Sequence, residues 1–373
     1  MHIGIDARLY GSKYRGIGRY AQELINALLE QRDQHVVDSF TIIIPTDQFE
    51  KGVTMCPSVL WSHVSWRVYS WKEQCIGAWR WMRFRGDVVH FTHWNVPLVY
   101  MVYAWMAHKR FVVTIHDLIL RKSSFNEATT RSPLLFYLKY VVYRITLWMI
   151  MHTAERIITV SKEVREDIKR LYPMHPPIVV IYEGADHCPL VGERDKRNPW
   201  ILSVGSAYPH KNLLGALRAF SLFYHAGHQS WKFILCSNQS IFLERLVKQA
   251  TTEQLLEGVE FRTNVDDAAL WSLYAQASML LLVSFEEGFG FTPLEAIRCG
   301  LSVVVSQTSL THEILGSGAL FVDPYDPKAI ANGITAIADH DADGVMHHEE
   351  ALKSIQQYVW ADTARETRQW YQL

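Results

Sequence analysis

The stretch Glu287-Gly-Phe-Gly-Phe-Thr-Pro-Leu-Glu295 places two carboxylates at the ends of a glycine-rich turn. Before it runs Met279-Leu-Leu-Leu-Val283, apolar and of strand length; after it, Leu294-Glu-Ala-Ile297 opens a helical pattern. Strand, glycine turn and helix start together make a site for an anionic group. The first-turn N–H groups of a helix have no partner within it and carry positive partial charge. Gly288 and Gly290 permit positive φ and let a ligand approach the backbone. Glu287 and Glu295 can then accept hydrogen bonds from hydroxyls on either side of a bound phosphate. A plainer reading stands beside this one. Glycine is common between a strand and a helix, and glutamate in a first turn favours the helix dipole on its own. The spacing of the two acids and the strand before them favour the site.

Outward from this stretch, short apolar runs alternate with helical patterns in both halves of the chain. Residues 3–6, 41–44, 88–91, 112–115, 157–160 and 179–181 are rich in β-branched residues, like strands buried in a parallel sheet. Residues 17–29 carry apolar positions at helical spacing, and 161–172 do so behind Ser161, an expected N-cap. Residues 134–151 are long and apolar but interrupted by Lys139 and Arg144, and read as a buried amphipathic helix rather than a membrane span. Residues 186–199 are polar and breaker-rich, as a linker is. Strands are then expected at 201–204, 233–236, 259–261, 280–283 and 302–305, with helices at 212–224, 241–250, 267–275 and 327–337. Two such series predict an α/β protein of two doubly wound domains, residues 1–190 and 195–355. Ligands of such sheets sit beyond the C-terminal strand ends, so the two domains are expected to share a cleft.

Composition fits a globular protein with two cores: of 373 residues, 49% are hydrophobic and 20% charged. A net charge of −1 argues neither for nor against nucleic acid. Cys56, Cys75, Cys188, Cys236 and Cys299 are scattered, which predicts reduced thiols rather than a disulfide framework or zinc site. The start, Met-His-Ile-Gly-Ile-Asp-Ala-Arg, lacks the regions of a signal peptide and reads as a first strand. One region breaks the even charge balance. Residues 61–85 hold five of the thirteen tryptophans, with Arg67, Lys72, Arg80, Arg83 and Arg85 against the single acid Glu73. A helix from about residue 72 would align Ile76, Trp79 and Met82 on one face. Such a surface, with Trp66, Arg67, Lys72, Trp79, Arg80 and Arg83 as its candidates, suits an anionic membrane interface. It also suits single-stranded nucleic acid, to which nothing else in the chain points. Core tryptophans beneath a solvated basic face are the alternative.

Downstream of the opening stretch follow Ala296-Ile-Arg-Cys-Gly-Leu-Ser-Val-Val-Val305, Glu313 and Phe321-Val-Asp-Pro-Tyr-Asp-Pro327. Upstream stand Gly16-Ile-Gly-Arg-Tyr20, Thr114-Ile-His-Asp-Leu118, Thr159-Val-Ser161 and Val204-Gly205 with Lys211-Asn212. On these residues the chain resembles, over nearly its full length, the retaining glycosyltransferases of family 4 (glycosyl transferases group 1). Their GT-B fold has two facing Rossmann-like domains. The resemblance implies an acceptor-binding N-terminal domain and a nucleotide-sugar-binding C-terminal domain. It also implies a last helix in residues 356–373, around Trp360, that crosses back onto the first domain.

The same resemblance places Glu295 on the ribose hydroxyls and Glu287 on the transferred sugar. The amides of Phe291 and Thr292 would meet the diphosphate, with Lys211 beside it as a full positive charge. Gly205, Ser206, His210, Gly288, Phe289 and Gly290 belong to this implied donor site, and Thr263 and Val265 to the part near the base. Gly16 and Gly18 would approach the phosphates or the sugar from the first domain. His116 would stand beside the reacting sugar, its side chain or backbone carbonyl stabilising the positive anomeric centre, with Asp117 orienting it. Taken alone, Lys211 reads first as a helix-start lysine facing solvent, and His116 as a hydrogen-bonded core histidine. One departure stands out. Many relatives carry an arginine where this chain has Ser206 or His210, and histidine lacks arginine's permanent charge and forked donors.

The reaction implied is transfer of a hexose to a hydroxyl of a glycan or polyprenyl-linked glycan with retained configuration. Mannose from GDP-mannose is the first expectation and UDP-sugars the next. Lys211, the helix N-terminus and His210 would stabilise the leaving diphosphate without a metal or other cofactor. The β-phosphate would take the acceptor's proton in same-face attack. A glycosidase reading of Glu287 and Glu295 lacks an evident environment for raising one carboxyl's pKa. A catalytically weak glycosyltransferase-like scaffold in a glycan-assembly complex is the rival that Ser206 and His210 favour. The expected partners are a nucleotide diphosphate sugar, the acceptor and a membrane surface, not nucleic acid. The expected location is the cytoplasm, at the inner face of the membrane.

Overall fold

Among the described residues, thirteen strands form two sheets in which every pairing is parallel. The structure is a computed structural model that describes all residues except 12–14, 32–37, 52, 54–55, 67, 69, 123–132, 187–196, 340–347 and 373. Arg67, Cys188 and most of the expected linker therefore lie outside the described residues. The chain divides into two compact units. One comprises Met1–Leu118, Ser132–Gly184 and Tyr358–Leu373; the other, Ile119–Arg131 and Ala185–Gln357.

The first unit contains β1 (His2–Asp6), β2 (Ser39–Pro45), β3 (Val59–Val64), β4 (Val88–Phe91), β5 (Phe111–Ile115), β6 (Arg156–Thr159) and β7 (Ile178–Val180). Their order is β3-β2-β1-β4-β5-β6-β7. Central β4 and β5 are buried at every position, which is why they read as unbroken apolar runs rather than alternating ones. Edge strand β3 escapes such a reading: Leu60 and His63 are exposed, so no clean period survives. Helices α1 (Arg15–Glu30), α2 (Leu98–Met106), α3 (Pro133–Thr153) and α4 (Lys162–Leu171) connect the strands. Ser161 caps α4 as expected, its hydroxyl accepting from the Val164 amide. Helix α3 departs from expectation. It buries Tyr143, Leu147 and Ile150 but leaves Leu138, Val141 and Ile145 exposed, because a helix apolar all round can pack only one side here.

The second unit's sheet has the order β10-β9-β8-β11-β12-β13. Its strands are β8 (Asn198–Val204), β9 (Lys232–Ser237), β10 (Val259–Thr263), β11 (Ala277–Leu282), β12 (Ser302–Ser306) and β13 (Leu320–Val322). Helices α5 (Leu213–His225), α6 (Ile241–Thr252), α7 (Asp267–Gln276), α8 (Phe291–Arg298), α9 (Ser309–Leu315), α10 (Pro327–Asp339) and α11 (His348–Ile355) complete it. Phe220, Phe233, Leu281, Val304 and Ile334 lie in one buried cluster of this unit. Burial pushes the Cys236 and Cys299 thiols up to about 11.

Helix α12 (Trp360–Gln372) belongs to the first unit. An Arg368 N–H donates to the Leu28 carbonyl of α1 at 3.1 Å, and the Tyr371 hydroxyl lies 2.6 Å from His90 Nδ1 on β4. Gly184 allows this approach: a Cβ there would lie 2.4 Å from the Trp360 nitrogen.

Candidate active site

In the second sheet the strand order reverses between neighbours β8 and β11. Loops leaving the C-terminal ends of two such strands part to opposite sides and open a crevice for ligands. Here those loops carry Lys211 and Glu287, and the two side chains meet: Nζ donates to Oε1 at 2.6 Å and Oε2 at 2.7 Å. The lysine is held from behind. Pro209–Lys211 form one 3₁₀ turn, and Asn212 takes a left-handed φ of 51° before α5 begins. The Asn212 side-chain Nδ2 donates to the Pro324 carbonyl at 2.7 Å. Gly215 makes room for it, since a Cβ there would lie 2.4 Å from Asn212 Oδ1. The glutamate's loop is tied to the same turn by the Phe285 amide, which donates to the His210 carbonyl at 2.8 Å. The Phe285 ring stacks on Tyr325 at 4.8 Å.

Burial alone would raise the pKa of Glu287. The charge and hydrogen bonds of Lys211, with the charge of His210, outweigh burial and hold the carboxyl below its ordinary value. Glu287 is thus an ionised acceptor, the opposite of the raised carboxyl a glycosidase acid needs. Lys211 is not a solvent-facing lysine; its side chain is 19% exposed.

Room for a ligand lies beside this pair. A Cβ added to Gly205 would meet nothing closer than Lys211 Cε at 4.0 Å, so the chain's own packing does not demand glycine there. Gly290, by contrast, needs its φ of 98° to cap α8, and its nearest neighbour would be Pro293 Cδ at 3.9 Å. Pro293 has no N–H, so the donors at this helix start are the amides of Gly290, Phe291 and Thr292. Gly288 and Thr292 are half-buried, and the buried Phe289 ring packs edge-on against Phe291 at 5.7 Å. Further along the helix, Glu295 is buried and accepts from the Tyr274 hydroxyl at 3.0 Å. Ser206 is half-buried behind Gly205, and half-buried His210 stacks on Tyr208. Thr263 and Val265 stand apart at the end of β10, two strands from β8.

In the first unit His116 follows β5 and is buried. Its Nδ1 lies 3.0 Å from Glu183 Oε1, and its Nε2 lies 2.9 Å from the Thr92 carbonyl. That carbonyl can only accept, so Nε2 carries a proton. The orienting carboxylate is therefore Glu183 rather than the expected Asp117, whose charge acts on the ring as the weakest of its influences. Burial works against a charged ring, but the hydrogen bond and charge of Glu183 and the Thr92 carbonyl outweigh it, and the His116 pKa is raised. Burial also raises the Glu183 pKa, against the pull of His116. Tyr20 of α1 meets the imidazole edge-on at 4.6 Å and bonds Thr114 at 3.0 Å. Gly16 lies half-buried in the first turn of α1. Gly18 is a packing glycine: a Cβ there would lie 2.1 Å from the Gly11 carbonyl oxygen.

The basic-aromatic segment divides. Trp81 is buried and donates to Asp6 at 2.6 Å, and Trp66 is half-buried beneath the Arg80 guanidinium, 5.3 Å away. Trp79 is exposed with Arg83 over its ring at 4.7 Å, and Lys72 is exposed. Glu73, the one acid counted there, is buried against Arg8 and Asn95. The expected helix begins as a π-turn, Glu73–Gly77, which runs into Ala78–Met82.

Residues 14–187 match the model of Glycosyltransferase Family 4, and residues 191–353 that of Glycosyl transferases group 1. Two parallel-sheet α/β units with paired loops at a strand-order reversal thus define a glycosyltransferase of the GT-B fold. The chain belongs to glycosyltransferase family 4. It is 29% identical to the O-antigen chain mannosyltransferase RfbU of Salmonella typhimurium strain LT2, over 88% of each chain. It is 25% identical to the O-antigen chain mannosyltransferase B of Escherichia coli, over 96% of each. Among solved structures, sucrose-phosphate synthase from Thermosynechococcus elongatus superposes with a TM-score of 0.75 at 15% identity, covering 100% of this chain and 98% of that one. Anabaena HepE in complex with UDP and glucose gives 0.73 at 16% identity, covering 100% and 99%.

Proposed function

We propose that the protein is a retaining mannosyltransferase that moves mannose from GDP-mannose to a hydroxyl of a glycan or polyprenyl-linked glycan. The observation that carries this reading is the Lys211–Glu287 pair beside the start of α8, with open space at Gly205. It supplies one cation for a diphosphate and one ionised carboxylate for sugar hydroxyls, next to amides for the remaining phosphate oxygens. Likeness to two O-antigen mannosyltransferases supports mannose as the sugar. UDP-sugars are the second reading, favoured by the likeness to HepE bound to UDP and glucose.

In the proposed reaction Lys211 exchanges Glu287 for the diphosphate, and Glu287 turns to the sugar hydroxyls. Glu295, already accepting from Tyr274, holds the ribose. The bond from the anomeric carbon to the β-phosphate oxygen breaks, leaving its electron pair on that oxygen. The acceptor oxygen bonds the same face of the carbon and gives its proton to the departing phosphate. Both ring nitrogens of His116 are engaged, so its backbone carbonyl is the group we assign to the positive anomeric centre. Lys211, His210 and the helix start carry the phosphate charge, and the mechanism draws on no metal. The scattered cysteines, with no Cys-x-x-Cys pair, fit a reducing, cytoplasmic setting.

Thermal shift and nucleotide release with GDP-mannose, UDP-sugars and ADP-sugars test the proposal. GDP-mannose is expected to stabilise most and to release GDP. A larger response to a UDP-sugar would reassign the donor, and binding without turnover across donors and acceptors would favour the scaffold.

A further inference from the structure

Helices α2 and α3 pack against each other in the first unit, and each leaves an apolar stripe uncovered. On α2 the stripe is Val99, Val102, Trp105 and Met106, with Trp105 65% exposed. On α3 it runs through Leu134, Leu138, Val141, Ile145 and Trp148, from 46% to 82% exposed. Their opposite faces, Met101 and Ala104 on α2 and Leu147 and Ile150 on α3, already fill the core. The fold thus accounts for one side of each helix and not for the other. Side chains of roughly 150–250 Å² each, about half exposed, leave on the order of 1,000 Å² of apolar surface. The largest patch on an ordinary monomer is about 300–600 Å².

Along the two helices themselves the charges have one sign, and Glu155, just past α3, is paired with Arg110 at 2.7 Å. Residues 88–116 and 133–154 contain no aspartate or glutamate, and Lys109, Lys139 and Arg144 are exposed among them. On α3, Lys139 and Arg144 lie to either side of the stripe, where their stems can follow apolar surface while their charges reach outward. Helix α2 also packs against the segment Ala78–Met82, where Trp79 and Arg83 are exposed, and the neighbouring Glu73 is buried. No described helix is long and apolar enough to cross a membrane. Aromatic residues within an apolar face and cations at its margin are the composition of a helix that lies in a bilayer interface.

We infer that the exposed face of α2 and α3 docks the protein on an anionic lipid bilayer, with the apolar stripes in the interface and the cations on the headgroups. The basic-aromatic segment extends this surface rather than forming it alone. The inference stands on exposure and charge and does not depend on the donor or the reaction.

Co-sedimentation of the full chain with vesicles tests it, using phosphatidylcholine alone and an equal mixture with phosphatidylglycerol. The wild type is expected to pellet with the mixed vesicles, less so at high salt, and little with phosphatidylcholine. Leu138→Asp with Ile145→Asp should weaken binding about tenfold or more. Lys139→Gln with Arg144→Gln, which spares the stripes, should weaken it about fivefold per charge. Both variants should keep the wild-type melting temperature and donor thermal shift, which separates a docking defect from a damaged donor site. Should the apolar variant not fold, the charge variant decides. No pelleting with mixed vesicles at low salt overturns the inference, as does binding that the variants leave unchanged. A concentration-dependent dimer dispersed by Leu138→Asp with Ile145→Asp would mean that a second copy covers the face, and also overturns it.

Discussion

Lys211 and Glu287 are bonded at 2.6 Å and 2.7 Å, so each holds the other's charge at the ends of β8 and β11. Each was legible because its surroundings are local: a lysine after a strand and tight turn, a glutamate between a strand and a glycine turn. That they bond each other was not, because they stand 76 positions apart and only the sheet's order brings β8 beside β11. Glu183 and Tyr274 were missed for the same reason. Nothing beside them in the chain marks a carboxylate that meets His116 or a hydroxyl that meets Glu295. The Glu183–His116 pair makes a prediction about pH. Both pKa values are raised in the folded chain, so folding holds protons here more tightly than the unfolded chain does. The pair's contribution is therefore full at low pH and lost as pH rises through the raised His116 value. Glu183→Gln should lower stability by about 3 kcal/mol below neutrality and flatten that dependence, measured by denaturant midpoints across the range. A glutamate with no charge coupling to His116 would leave the variant's stability as pH-dependent as the wild type's, which would contradict this.

At the scale of elements, two glycines separate folding from binding. Gly205 has ordinary φ and open space beside it, so Gly205→Ala should leave the melting temperature nearly unchanged. Donor affinity should nevertheless fall about tenfold, the effect of roughly 1.4 kcal/mol lost where a ligand must approach. Gly290 has a φ of 98°, and Gly290→Ala should cost about 1–2 kcal/mol of stability as well as affinity. Calorimetric melting and donor titration of both variants check the split, and equal effects in the two would contradict it. Buried strands such as β4 and β5 were legible because burial on both faces leaves a continuous apolar run. Edge strand β3 was not, and α3 was misjudged as buried. Apolar residues around a whole helix show that no face is polar, but not which face the rest of the chain covers.

At the scale of the molecule, the two series of βα units were legible from their spacing, but the ownership of the chain's end was a matter of resemblance alone. Helix α12 buries Trp360 and Tyr371, and its carbonyls at Trp370 and Tyr371 accept from Arg156 and Arg110 of the first unit. Ending the chain after Gln357 should therefore expose β4 and α1 and lower the melting temperature of the first unit well below that of the second. Separate calorimetric transitions would show this, and an unchanged first transition would contradict it. The central claim is that Lys211 carries the charge of a departing diphosphate. Its most direct test is the rate of GDP release from saturating GDP-mannose by the wild type and by Lys211→Ala. The account predicts a loss of about 100-fold or more; wild-type turnover in the variant would contradict it.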